Sequence, residues 1–351
     1  MDKVAIDDLK DGMLIAETIL GEHGKPLIIE GTKLTKTLID RLTQMPRQHI
    51  YIYHEQTIEA DPGAILINRV FDYCQRVLDN HLPMNLYKHN NTQALEKHDR
   101  VNRILEGTTS DPRVAEFYLD LRTVAPHFLE HSLNVSVFAL LVGVSIGLSD
   151  EMLDQLAIGA ILHDIGYLNL PKNLVNQKDL TPQELKNLEE HTKLGYKYLR
   201  EKGFSTEVAR IALYHHEKWD GSGYPTKLVG EKADLLSRIV GVADVYDSFT
   251  GIIAKERYLP HEAIEYLYGA GDYLFDARLV KAFIQNVPIY PLGSVVRLST
   301  GEVGVVVNVE KNVSPRPIIK ICYDKENQKL PYPKQIDLSV EKTVFIKEVL
   351  W

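Results

Sequence analysis

The chain has 351 residues, too many for one ordinary core, so two or three domains are expected. With 44% hydrophobic and 25% charged residues the composition is that of a globular protein. A formal net charge of −8 argues against a surface for nucleic-acid polymers, which are held by basic patches. The N-terminus, Met1-Asp2-Lys3-Val4-Ala5, shows no leader pattern. Two distant cysteines, Cys74 and Cys322, suggest no disulfide and fit a reducing cytoplasm.

Residues 1–60 read as a small N-terminal α+β module. Turns at Asp11-Gly12 and Gly21–Pro26 flank short apolar runs, Thr35–Leu42 reads as a helix and His49–Tyr53 as a strand. Asp61-Pro62-Gly63 breaks the chain. Residues 61–123 are then expected to be a helical linker. Ile65–Leu82 has apolar residues at helical spacing, and the polar stretch His89–Asp99 is either a linker or an exposed helix. This region could also pair protomers as a homodimer.

From Val124 to Val287 the pattern is all-α. The apolar run Leu133–Leu148 is shorter than the ~20 residues of a membrane span and is expected to be a buried helix rather than a crossing. Gln155–Leu162 is a second apolar run, closed by His163-Asp164. Thr181-Pro182-Gln183-Glu184 carries a capping box and starts a helix expected to run to Lys202, with His191 in its middle and Gly203 after it. Ser205 and Thr206 can cap the next helix, which ends near His215-His216. Ala233–Phe249 is a further helix, with Asp244 and Asp247 three apart and so on one side. Residues 288–351 switch to period two: Ser294–Ser299, Val303–Val309, Ile318–Tyr323 and Val344–Val349 read as strands of a small all-β, barrel-like module.

Six of the 13 histidines fall between His127 and His216. Imidazole and carboxylate suit iron, manganese, zinc and similar ions. His131, His163, Asp164, His191, His215, His216 and Asp244 are more ligands than one ion needs, and a carboxylate such as Asp164 can bridge two. Paired ions ~3.5–4 Å apart suit phosphodiester hydrolysis. Each histidine alone could be an ordinary helix residue, but helices ending in His-Asp and His-His place polar groups where burial costs free energy unless it is compensated.

His163-Asp164-Ile165-Gly166 together with His215-His216-Glu217-Lys218-Trp219-Asp220-Gly221-Ser222-Gly223-Tyr224-Pro225 resembles the HD-GYP family, within the HD superfamily of metal-dependent phosphohydrolases. The resemblance covers about Val124–Val287. It implies an all-α HD-type catalytic core between the two flanking modules. It also implies hydrolysis of cyclic di-GMP, or a related cyclic dinucleotide, to the linear dinucleotide or GMP by a metal-activated water. The cofactors implied are two or three divalent ions, iron or manganese. By position the metal ligands are His131, His163, Asp164, His191, His215, His216 and Asp244, with His163, Asp164 and Tyr167 in catalysis. Three-metal members carry a Glu one helical turn before the first His; His127 stands there, which leaves a third ion open. Gly223, Tyr224 and Pro225 are expected to border the substrate, or else to form a structural turn.

The chain departs from the family at the phosphate clamp. Tyr167 stands where members have Lys. Past Asp244, an ungapped reading puts Ile253 and Glu256 where members have cations, whereas a one-residue shift brings Lys255 or Arg257 nearer. Lys255 and Arg257 are therefore either substrate contacts or a solvated helix start. The alternative function is a non-catalytic or weakly catalytic sensor that binds metal and nucleotide and signals to a protein partner.

Overall fold

In the computed structural model the described residues are 2–10, 13, 15, 19–20, 26–28, 34, 38–39, 42, 49–52, 70–75, 77–78, 92–117, 126–175, 180–251, 258–287, 290, 293–308 and 316–350. The chain divides into two compact units, Met1–Asn68 and Arg69–Trp351. In the first, β1 (Asp2–Ala5) pairs antiparallel with β4 (His49–Ile52), and β2 (Ile19–Leu20) with β3 (Pro26–Ile28). Ile6, Leu9, Ile15, Leu34, Leu42, Ile50 and Ile52 form its buried cluster. Leu38, Ile39 and Leu42 are helical, within the helix expected there.

The second unit begins with helical residues 70–75 and 77–78, followed by α1 (Thr92–Thr109). Of the two readings of the polar stretch His89–Asp99, linker or exposed helix, its described residues 92–99 are helix, and further along α1 buries Val101, Leu105 and Thr109 against the next two helices. These are α2 (Pro126–Ser145) and α3 (Asp150–Ile161). The window Phe128–Ser145 is long and apolar enough to cross a membrane, but 72% of it is buried inside the fold. α2 is the central core helix, packed on α1, α3, α8 (Leu235–Thr250) and α10 (Ala277–Asn286). Between α3 and α8 come a 3-10 turn (Ile165–Asn169), α4 (Lys172–Val175), α5 (Pro182–Glu189), α6 (His191–Glu201) and α7 (Thr206–Tyr214). α9 (Pro260–Ala270) follows α8.

One helix expected over 181–202 is two. Thr181 forms the capping box with Glu184 as expected, but the ladder breaks at Glu190. His191 Nδ1 hydrogen-bonds Leu188 O at 2.7 Å, and Thr192 Oγ1 donates to Glu189 O at 2.9 Å. Side chains have taken carbonyls that backbone N–H groups would otherwise use, so His191 opens a helix instead of lying inside one.

The C-terminal part is a five-stranded antiparallel sheet of order β8-β7-β6-β5-β9: β5 (Val295–Leu298), β6 (Val303–Asn308), β7 (Ile318–Tyr323), β8 (Lys329–Asp337) and β9 (Ile346–Val349). Among the described residues no ladder joins β8 to β9, so the sheet is open and the expected barrel closure is not found. β8 was not expected as a strand, because Pro331 and Pro333 lie in it. It is an edge strand, where a missing N–H costs no ladder bond.

Candidate metal centre

The apolar α3 carries the central dipeptide. Ser149 caps its N-terminus, Leu153, Leu156, Ala157, Ala160 and Ile161 fix it in the core, and the helix ends at Leu162. His163 and Asp164 therefore lie in the turn beyond, both buried. His131 comes from α2, His191 opens α6, His215 caps α7, and Asp244 lies on α8.

The four buried imidazoles are oriented alike. The Nδ1 atoms of His163, His191 and His215 donate to Ala160 O (2.7 Å), Leu188 O (2.7 Å) and Ile211 O (3.0 Å). A carbonyl can only accept, so each Nδ1 carries the proton and each Nε2 offers its lone pair. His131 Nδ1 donates to Asp247 Oδ2 at 2.7 Å, which likewise turns its Nε2 toward the centre. Such bonds set the tautomer of metal-binding histidines and raise their basicity.

All four Nε2 atoms converge on Asp164. Its Oδ2 lies 3.3 Å from His163 and 4.0 Å from His131; its Oδ1 lies 3.4 Å from His191 and 3.5 Å from His215. Asp244 faces the same centre, with Oδ1 3.2 Å from His131 Nε2 and Oδ2 3.6 Å from His216 Nδ1. Ser248 Oγ steadies Asp244 by donating to its Oδ1 at 3.1 Å. The donors fall into two groups that share Asp164. One is His131, His163 and Asp164; the other is Asp164, His191, His215 and His216.

These residues fit divalent ions. Metal–ligand bonds of ~2.1 Å in a tetrahedron place neighbouring donors roughly 3.4 Å apart, close to the spacings here. The Nε2 atoms of His131, His163, His191 and His215, and Asp164 Oδ1, are buried without a hydrogen-bond partner. Each such atom costs about 1–3 kcal/mol if left so, and shared cations would remove that cost.

The electrostatics agree. Burial would raise the pKa of Asp164, but the imidazoles of His163, His215 and His191 outweigh it and hold the carboxyl well below the usual range. Burial lowers His131, yet the carboxylates of Asp244 and Asp247 on its two sides outweigh this and raise it to about 10, so that a cation would have to displace a proton from its Nε2. Burial takes His191 down to about 4, only partly opposed by Asp164. A set of imidazoles pulled apart in this way is a common mark of a functional site.

Two tyrosines flank the cluster. Tyr167 lies flat on His191 (centroids 4.2 Å apart, planes at 16°) with Phe128 on it at 5.0 Å. Burial, then the charge of Asp164, pushes its hydroxyl well above the usual tyrosine range, so it stays protonated. Tyr224 lies 4.7 Å from His216. Its loop is tied down by the buried Glu217, whose carboxylate accepts from Thr226 N and Oγ1 (both 2.7 Å) and Leu228 N (2.9 Å). Gly223 is buried, and a Cβ there would overlap Lys218 N and His216 O. That glycine lets the loop close on the helix end. Pro225 follows it half-buried. His127 belongs to the first turn of α2, but its side chain lies outside the described residues, as do Lys255 and Arg257 entirely.

Sequence reasoning gave no role to Asp247 and Glu217. The signal for Asp247 was its position one turn past Asp244. Glu217 had none, because its partners lie nine and eleven residues away.

Fold and donors together define a helical domain with a buried His/Asp cluster able to bind divalent metal ions. Residues 120–279 match the family described as HD domain, and residues 295–351 the KOW domain associated with HD domain. The chain is 30% identical over 241 residues to Cyclic di-GMP phosphodiesterase PA4108 of Pseudomonas aeruginosa, covering 68% of this chain and 58% of that protein. It is 40% identical over 163 residues to Cyclic di-GMP phosphodiesterase response regulator RpfG of Xanthomonas campestris, covering 45% and 42%. The chain thus spans about half the length of these curated relatives. Among solved structures, Bd1817, a HDG"Y"P protein from Bdellovibrio bacteriovorus, aligns with a TM-score of 0.42 at 18% identity, covering 80% of this chain and 97% of that one. Residues 120–279 thus carry an HD domain, whose His163-Asp164 and Gly223-Tyr224-Pro225 stretches resemble the HD-GYP type.

Proposed function

We propose that this protein is a metal-dependent phosphodiesterase that opens cyclic di-GMP, or a related cyclic dinucleotide, to the linear dinucleotide or GMP. The observation that carries the reading is the position of Asp164, each of whose oxygens faces two imidazoles. In that position Asp164 would offer one oxygen to each of two divalent ions, iron or manganese. When bound, such ions supply an activated water and neutralise charge on a phosphodiester. His131, His163, Asp164 and Asp244 would hold one and Asp164, His191, His215 and His216 the other. His127 is the residue proposed to support a third.

The remaining roles follow from chemistry. The protonated Tyr167 hydroxyl donates one neutral hydrogen bond to a substrate phosphate. Tyr224 and Pro225 border the substrate, while Gly223 shapes their loop. Lys255 and Arg257 are the proposed source of positive charge. We assign residues 124–287 to the catalytic domain, 1–60 and 288–351 to flanking modules, and the protein to the cytoplasm, which suits two free cysteines.

Tyr167 also favours the second reading, a sensor that binds metal and nucleotide but turns over little, because it brings no charge to the phosphate. Anaerobic purification with metal analysis, then chromatography of cyclic dinucleotide incubations, separates the two. About two ions per chain with linear product is the expected result, lost in His163→Ala. Full occupancy with no product from any cyclic dinucleotide leaves the sensor, and an absence of metal overturns both.

Tyr167→Lys is expected to raise kcat/KM about tenfold. Charged hydrogen bonds are worth ~1.5–3 kcal/mol against ~0.5–1.5 for neutral ones, and 1.36 kcal/mol is about a factor of ten in rate. Unchanged kinetics would show that position 167 does not touch the substrate.

A further inference from the structure

A hydrogen-bonded chain leaves the cluster and ends outside the HD domain. His131 Nδ1 donates to Asp247 Oδ2 at 2.7 Å, Asn134 Nδ2 donates to Asp247 Oδ1 at 2.9 Å, and Tyr73 Oη donates to Asn134 Oδ1 at 2.9 Å. We propose that Tyr73 is a positioning residue for the metal centre, acting through Asn134 and Asp247 on His131. The inference rests on the cluster being a metal site.

The register of the helices makes the chain possible. Asn134 lies one turn after His131 on α2, and Asp247 one turn after Asp244 on α8, so each pair shares a face. α2 and α8 are thereby joined twice, by Asp244 to His131 directly and by Asp247 to both His131 and Asn134. Asp247 is buried and needs donors on both oxygens. Asn134 can supply one only with its amide nitrogen turned toward Asp247. Rotated by half a turn, the amide would set its carbonyl against the carboxylate. The Tyr73 hydroxyl, donating to Asn134 Oδ1, holds the amide in the productive orientation. The hydroxyl stays protonated, because burial and then Glu130 raise its pKa.

Tyr73 lies in the helical residues 70–75, just past the boundary between Asn68 and Arg69 that divides the two units. It lies outside the residues 120–279 that match the HD domain. The segment that leads from the first unit into the second thus becomes part of what supports a metal ligand.

The test is Mn(II) titration of the metal-free 351-residue chain, with free Mn(II) read by electron paramagnetic resonance. Tyr73→Phe is expected to weaken Mn(II) binding about three- to tenfold, as for one neutral hydrogen bond, and Asp247→Asn about ten- to a hundredfold. Tyr73→Phe should add nothing in the Asp247→Asn or the Asn134→Ala background, because residues acting through one chain are not additive. Wild-type Mn(II) affinity in Tyr73→Phe overturns the proposal. So does an equal loss in all backgrounds, which marks a merely structural role. His163→Ala in the same titration guards the premise. If it binds Mn(II) like the wild type, the metal-centre reading itself fails; if it loses binding while Tyr73→Phe does not, only this inference does.

Discussion

Asp164→Asn is expected to strip both ions from the protein and to lower cyclic dinucleotide turnover by roughly a thousandfold. The side chain is unchanged in shape, so the effect isolates the carboxylate. Asp164 is the one residue common to both donor groups. An amide offers one weak oxygen donor, and its NH2 group would point at the imidazoles on the other side. That NH2 group has no lone pair for a cation and would instead donate to Nε2 atoms, which lie 3.3–3.5 Å (His163, His191, His215) and 4.0 Å (His131) from the present oxygens, so it would compete with the ions for their own ligands. Metal ions contribute several kcal/mol of charge stabilisation in such reactions, and three tenfold steps correspond to about 4 kcal/mol. Metal analysis and product chromatography on the same sample check the result. Two retained ions and near-normal turnover would show that the carboxylate does not bridge. The isosteric change also removes an anion that holds buried imidazoles in place, so circular dichroism of the metal-free variant should be compared with metal-free wild type.

How much of this centre was legible in the sequence varies by residue. His163-Asp164 and His215-His216 stand out because each closes an apolar helix, where polar groups need partners. The break before His191 did not stand out. It depends on His191 and Thr192 capturing the carbonyls of Leu188 and Glu189, which hydrophobic periodicity does not encode. Asp247 was placed on the right face of α8 but without a task, since its partner His131 is 116 residues away. The Tyr73–Asn134 bond spans 61 residues and belongs to no local pattern. In the C-terminal sheet, period-two patterning marked the strands with apolar faces and passed over the proline-bearing edge strand β8. Alternation along a strand also says nothing about whether the outer strands meet, and here the sheet stays open. The charged clamp beyond Asp244 depended on an alignment gap, and Lys255 and Arg257 lie outside the described residues.

Gly166→Ala is expected to destabilise the protein by about 3 kcal/mol or more and to remove one ion rather than two. The glycine is needed for closeness, not for an unusual backbone angle, because Gly166 is not among the residues with positive φ. A Cβ on it would overlap His191 O and come within 2.7 Å of His191 C and Gly195 N. These are backbone atoms of α6 and cannot turn aside as a side chain would. The 3-10 turn Ile165–Asn169 and α6 would have to separate. Overpacking commonly costs about 1–3 kcal/mol, and contact with fixed backbone puts this site at the top of that range. For a unit of this size the loss corresponds to a fall in Tm of roughly 6–12 °C. The separation acts directly on the site, since His191 is the first residue of α6 and its Nε2 lies 3.4 Å from Asp164 Oδ1. The group Asp164, His191, His215 and His216 would lose a ligand, while His131 and His163 sit on α2 and after α3 and are not pushed. Metal content should therefore fall from two ions per chain toward one. Gly195→Ala serves as the comparison, because its nearest neighbour is the Ala212 Cβ at 3.3 Å and only a small shift is required. A Gly166→Ala protein with wild-type Tm and both ions would show that the turn and α6 part easily, and that this glycine does not set the position of His191.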